Sequence, residues 1–197
     1  MRGAIRMIIS KQMYRFYLRE DERALNIERN IRSYLFNDIW HFQRQLRLLE
    51  YRKNCKVSII GKLMAAWSQI KVRRLGRKLG FSIPANVFGP GLSIAHAGTI
   101  VVNGNARVGA NCRIHVCVNI GADAGDGDRA PIIGDGCYIA PGAKIFGDIH
   151  IGDNVGIGAN AVVNKSFPSN VTVAGVPAGI ISNQGPKEFR PHEKMAS

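Results

Sequence analysis

From Val102 onwards a β-branched aliphatic residue returns at every sixth position. Val102, Val108, Ile114 and Ile120 form one run, and Ile133, Ile139, Ile145, Ile151, Ile157 and Val163 form a second. No α-helix has a six-residue repeat, and a half-buried strand alternates every two. The position after each aliphatic is mostly small or turn-compatible (Asn103, Gly109, Gly121, Gly134, Ala140, Gly152, Gly158). The fourth position after it is mostly compact (Ala106, Cys112, Val118, Cys137, Ala143, Val155, Ala161). This period predicts a parallel β-helix in which each hexapeptide makes one short strand and a turn, and three of them close a triangular coil of about 18 residues. Stacked coils bury the aliphatic column and pair their backbones with one another. In this version the coil winds left-handed, against the usual right-handed crossover. Ile120 and Ile133 are 13 residues apart rather than 12, across a Gly- and Asp-rich stretch, so the chain is expected to leave the coil there as a loop.

Before Pro84 the period is different. In Glu20–Asn54, Leu25, Ile31, Leu35, Ile39, Phe42, Leu46 and Leu49 recur at helical spacing among charged residues, and a second helix is expected from Ser58 towards Gly80. Gly80 suits a helix C-terminus and Pro84 bars continuation. Tyr34, Phe36, Trp40, Phe42 and Trp67 are expected as core or helix-contact residues. The predicted organisation is a basic α-helical domain over 1–80, a β-helix over 81–181 and a tail over 182–197. The net charge of +13 lies in the first part: residues 1–80 carry 19 Lys/Arg against 6 Asp/Glu, and residues 81–197 carry 8 of each. Such a segment reads either as a solvated helical surface or as a contact for a phospholipid surface or an anionic glycan. No nucleic-acid-binding motif accompanies the charge, so nucleic acid is not an expected partner. Four cysteines without a CxxC pair, no secretory leader and no long apolar run predict a reduced, soluble, cytoplasmic protein.

The segments "GLSIAHAGTIVV", "VGANCRIHVCVNIGA", "DRAPIIGDGCYIAPGAKIFGDIHIGDNVGIGANAVV" and "TVAGVPAGII" resemble the hexapeptide-repeat acyltransferases, and among them the serine O-acetyltransferases and their relatives of bacterial surface-polysaccharide synthesis. The resemblance implies a left-handed β-helix, acetyl-CoA as co-substrate, no metal, and a homotrimer or a dimer of trimers with the active site between neighbouring chains. It also implies that His96 is the general base. The family sets an aspartate before that histidine, another at the start of the β-helix, and a second histidine after the loop's Asp-Arg. This chain has Ala95, Phe81 and Ala130 there. A histidine titrating near ~6.5 still works as a base without a carboxylate partner. A serine ammonium group, however, loses its acid, so a hydroxyl of a capsule or O-antigen sugar becomes the expected acceptor and serine the alternative. A non-catalytic scaffold, and carbonic anhydrase chemistry with His96, His115 and His150 on a metal, stand further off.

The expected chemistry is direct transfer, with His96 taking the acceptor proton and backbone N–H groups at Gly121 and Ala122 meeting the oxyanion. His96 is six residues before Val102, which predicts a core-phase position. His115, one coil plus one residue further on, is expected beside it, as a second acid/base group, a pocket wall or a packing residue. The resemblance assigns acetyl-CoA to Ala140, Pro141 and Gly142, to Gly158 and Ala159 one coil later, to Lys165 (with Lys187 and Arg190 behind it) for the phosphates, and to Pro177 at the nucleotide end. Arg129 and Asp128 are left as acceptor-binding candidates.

Overall fold

The structure, a computed structural model, describes residues 7–28, 30–55 and 58–186, without the side chains at 32, 34 and 35. Among the described residues four helices, α1 (Lys11–Ala24), α2 (Ile31–Phe36), α3 (Asp38–Cys55) and α4 (Ile59–Leu79), precede a left-handed β-helix. The helical periodicity of Glu20–Asn54 is therefore cut in three, and asparagines make the cuts. Asn26 turns left-handed after α1, the Asn30 side chain accepts the Ser33 N–H (2.7 Å), and the Asn37 side chain accepts the Trp40 N–H (2.9 Å). The second expected helix is α4, closed by Gly80 at φ +81°. Of the aromatics expected in the core or at helix contacts, Trp40 and Phe42 are buried, Phe36 and Trp67 are exposed and so are not core residues, and the Tyr34 side chain lies outside the described residues.

The β-helix has three parallel faces. The first holds Phe81–Ser82, Ile100–Val102, Val118–Gly121, Lys144–Phe146 and Val162–Val163; the second Arg107–Val108, Ile132–Ile133 and His150–Ile151; the third Ser93–Ile94, Arg113–Ile114, Tyr138–Ile139, Gly156–Ile157 and Thr172–Gly175. Ala178–Ser182 turns back antiparallel on Thr172–Gly175 and ends the sheet. All ten aliphatics of the six-residue column are buried, each contributing roughly 1.5–3 kcal/mol relative to exposure. Val102 pairs with Ile120 at 18 residues, whereas Val108 pairs with Ile133 and Ile120 with Ile145 at 25, because the loop at 122–131 adds seven residues to that coil.

The core runs without a break from Phe42, Leu46 and Leu49 of α3 through Phe81 into the coils. Arg47, fully buried, crosses this junction. Its Nε and Nη2 donate to the Asp21 carboxylate (2.8 and 3.2 Å), Nη1 to Glu50 (3.0 Å), and the remaining N–H groups to the carbonyls of Phe88 (2.8 Å) and Gly89 (2.7 Å). All five guanidinium donors are thus satisfied. Asp21 in turn accepts the N–H groups of Gly91 and Leu92, and Gln43 brackets the same strand by donating to the Leu92 carbonyl (2.7 Å) and accepting from the Ile94 N–H (3.4 Å). The helices therefore hold the strand that leads into His96.

Candidate active site

Ile94, rather than His96, fills the core position on the third face: it is buried and pairs with Ile114. From Ile94 to Val102 is eight residues rather than six, so the corner at 95–99 contains two extra residues. His96 stands exposed on that corner. Its expected core-phase position is overturned, because the two extra residues carry the ring out of the aliphatic column.

What the fold provides instead is a column. The corner between third and first faces carries His96, then His115 to Cys117, then Ala140 to Ala143, then Gly158 to Ala161, one coil on another. The Cys117 N–H donates to Thr99, the Gly142 N–H to Val116 and the Asn160 N–H to Pro141. Gly142 has φ +79°, and a Cβ there would run into the Asn160 side chain of the next coil, so glycine is favoured at this turn. Both proposed acid/base histidines and the five expected acetyl-CoA positions Ala140, Pro141, Gly142, Gly158 and Ala159 therefore lie along one edge.

The His96 and His115 rings are 6.2 Å apart between centroids. His115 is only 8% exposed, and its Nε2 is buried without a hydrogen-bond partner among the described residues. Burial, then the Arg113 cation, then His96 depress its pKa, which keeps it neutral at pH 7. Sequence reasoning missed Tyr138, whose ring lies tilted against His115 at 5.0 Å between centroids; the seven residues that the loop adds to its coil hide that proximity from a count of hexapeptides. No hydrogen bond or ion pair engages the His96 side chain among the described residues. A cavity of about 430 Å³ opens beside the next residue, Ala97, lined by Ser33, Phe36, Asn37, Asp38, Ile39 and Leu79. Asp38, paired with Lys78 at 2.7 Å, brings a carboxylate to this corner. Its signal was its place at the first turn of a helix, where acids gather.

The remaining candidates are elsewhere. Gly121 and Ala122 leave the far end of the first face, and an alanine at Gly121 would meet nothing closer than 3.7 Å, so no close approach among the described residues requires this glycine. Arg129 pairs with Asp126 (2.9 Å) and Asp123 (3.4 Å) of its own loop, and Asp128 accepts from Asn105 (3.0 Å). The loop and the exposed Lys165 both belong to the corner between first and second faces, a different edge from the histidines. Pro177 is exposed at the tip of the terminal hairpin. Lys187 and Arg190 lie outside the described residues. His150 sits on the second face, apart from His96 and His115, and no cluster of three or more His, Cys, Asp or Glu side chains forms among the described residues.

A triangular coil built from hexapeptides, with a histidine-bearing edge, is the architecture of the hexapeptide-repeat proteins, and the family profile "bacterial transferase hexapeptide (six repeats)" matches residues 130–165. The crystal structure of a serine acetyltransferase with coenzyme A from Brucella abortus is 32% identical, with a TM-score of 0.74 over 89% of this chain and 70% of that one. A serine acetyltransferase of Staphylococcus epidermidis is 32% identical over 75% of this chain and 65% of its own length, and that of Staphylococcus xylosus is 42% identical over 52% and 48%. The chain belongs to the hexapeptide-repeat acyltransferase family, alongside the serine acetyltransferases. It spans about half to two thirds of the length of these curated relatives.

Proposed function

We propose that the protein is an acetyl-CoA-dependent O-acetyltransferase whose acceptor is a neutral hydroxyl, a sugar of a surface polysaccharide. The observation that carries the transfer chemistry is the single edge on which His96, His115 and the two glycine turns are stacked. His96 takes the proton from the acceptor hydroxyl as that oxygen attacks the thioester carbonyl. Backbone N–H groups stabilise the oxyanion, CoA departs as the thiolate, and the imidazolium returns the proton to it. Pantetheine, an extended amide chain, runs along the turns at Ala140–Gly142 and Gly158–Ala159, and Lys165 of a neighbouring chain meets the phosphates as a point charge.

The neutral acceptor rests on what replaces the family's two aspartates and its second histidine. Phe81 is buried edge-on against Phe42 (5.1 Å), Ala130 is buried in the core, and Ala95 carries no charge. None of the three can hold an ammonium group. Serine is the second reading, supported by the names of the relatives and by Asp38 in the cavity beside Ala97. A CoA-release assay with L-serine beside free, nucleotide-linked and lipid-linked sugars separates the two. Turnover on sugars with serine idle supports the proposal, and robust serine turnover overturns it.

A further inference from the structure

α4 is built inside out. The side that packs against the rest of the protein is largely small, with Gly61, Ser68 and Gly76 buried beside Val72 and Leu79. Its large apolar side chains face outwards: Ile59, Ile60, Leu63, Met64, Trp67 and Ile70, with Trp67 58% exposed and Ile59 79%. They form one stripe over three turns, and the same arc continues into cations. Arg73, Arg74 and Arg77 are exposed, and Lys71 lies 3.8 Å over the Trp67 ring. The helix carries six Lys/Arg and no Asp/Glu.

We infer that this face docks on an anionic phospholipid surface. An apolar stripe with an interfacial tryptophan and a basic flank suits a helix lying in the plane of a bilayer, its apolar side chains in the acyl boundary and its cations at the headgroups. No helix among the described residues is long and apolar enough to cross a membrane, so the contact is peripheral. Charge argues against the same face of a second copy as the occupant. The same face of a partner offers no carboxylate, and would lay arginines against arginines or across bare isoleucines. The inference is independent of which hydroxyl accepts the acetyl group.

Flotation of the full chain with phosphatidylcholine vesicles, with and without phosphatidylglycerol, tests it. Binding is expected only with the anionic lipid and is weakened by salt, with a blue shift in Trp67 emission. Arg74→Gln with Arg77→Gln should lower the partition coefficient ~30-fold, from the worth of two cations at a charged surface. Leu63→Glu should abolish flotation, and Trp67→Phe should keep flotation but lose the emission shift. All of these should leave CoA release on a soluble acceptor unchanged, which reports that they fold. Absence of flotation with anionic vesicles at low salt overturns the inference. So does flotation indifferent to Leu63→Glu, whether or not that variant also lowers the oligomeric mass, the sign of a second copy on this face.

Discussion

His96→Ala removes the proposed base and leaves its corner intact, because backbone groups hold that corner: the Ala95 N–H donates to Ile114 and the Gly98 N–H to Leu79. CoA release should fall about 10²–10⁴-fold, the usual worth of a positioned general base, with an unchanged thermal midpoint. Unchanged turnover would remove His96 from the chemistry. His115 makes a different prediction. Its folded pKa lies below the unfolded value of ~6.5, so as pH falls through that value the unfolded chain takes up a proton that the buried ring resists. The stability this contributes is complete above about pH 6.5 and is lost as pH falls towards the folded pKa. The thermal midpoint should therefore drop between neutral and mildly acidic pH, and His115→Leu should flatten that drop. A profile identical in wild type and variant would contradict the neutral, buried state.

At the scale of elements, the six-residue column was legible because every aliphatic in it ends up in the core, from Val102 to Val163. The position of His96 was not, because Ile94, Ile100 and Val102 are all apolar and nothing in the aliphatic repeat marks two extra residues between them. Counting back from Val102 lands on His96 although the fold puts Ile94 inside. The helices failed similarly: Asn30 and Asn37 cap new helices through their side chains while the apolar spacing continues across them. Tyr138 and Asp38 reach the site by coil stacking and by helix packing, neither of which leaves a local pattern. Arg47 gives the prediction proper to this scale, since it joins α1 and α3 to the first coil. Arg47→Met strands the buried carboxylates of Asp21 and Glu50 and should cost about 3–5 kcal/mol, read as a lower midpoint in urea. Replacing all three with apolar residues should recover only part of that loss, because Asp21 also accepts the N–H groups of Gly91 and Leu92, and Glu50 that of Asn86, all of which would then be orphaned. If the single variant is as stable as wild type, the network does not hold the junction.

The whole molecule raises the question of where a complete site exists. In one chain His96 lies on the corner between third and first faces, while Arg129 and Lys165 lie on the corner between first and second, so the full width of the first face separates them. A three-fold arrangement of chains brings one edge of a protomer against a different edge of the next, since cyclic contacts are heterologous. The expected solution mass is accordingly three times the chain's 21.6 kDa. The sharper check is complementation. His96→Ala and Arg129→Ala should each be inactive alone, yet unfolding and reassembling them together in equal amounts should restore about a quarter of wild-type activity, because in a heterologous trimer a random interface joins two intact edges one time in four. Recovery near that level places the acceptor site between chains. Reassembled trimers that remain inactive would confine the site to one chain, and Arg129 would then serve only to hold the Asp123–Asp126 loop in shape.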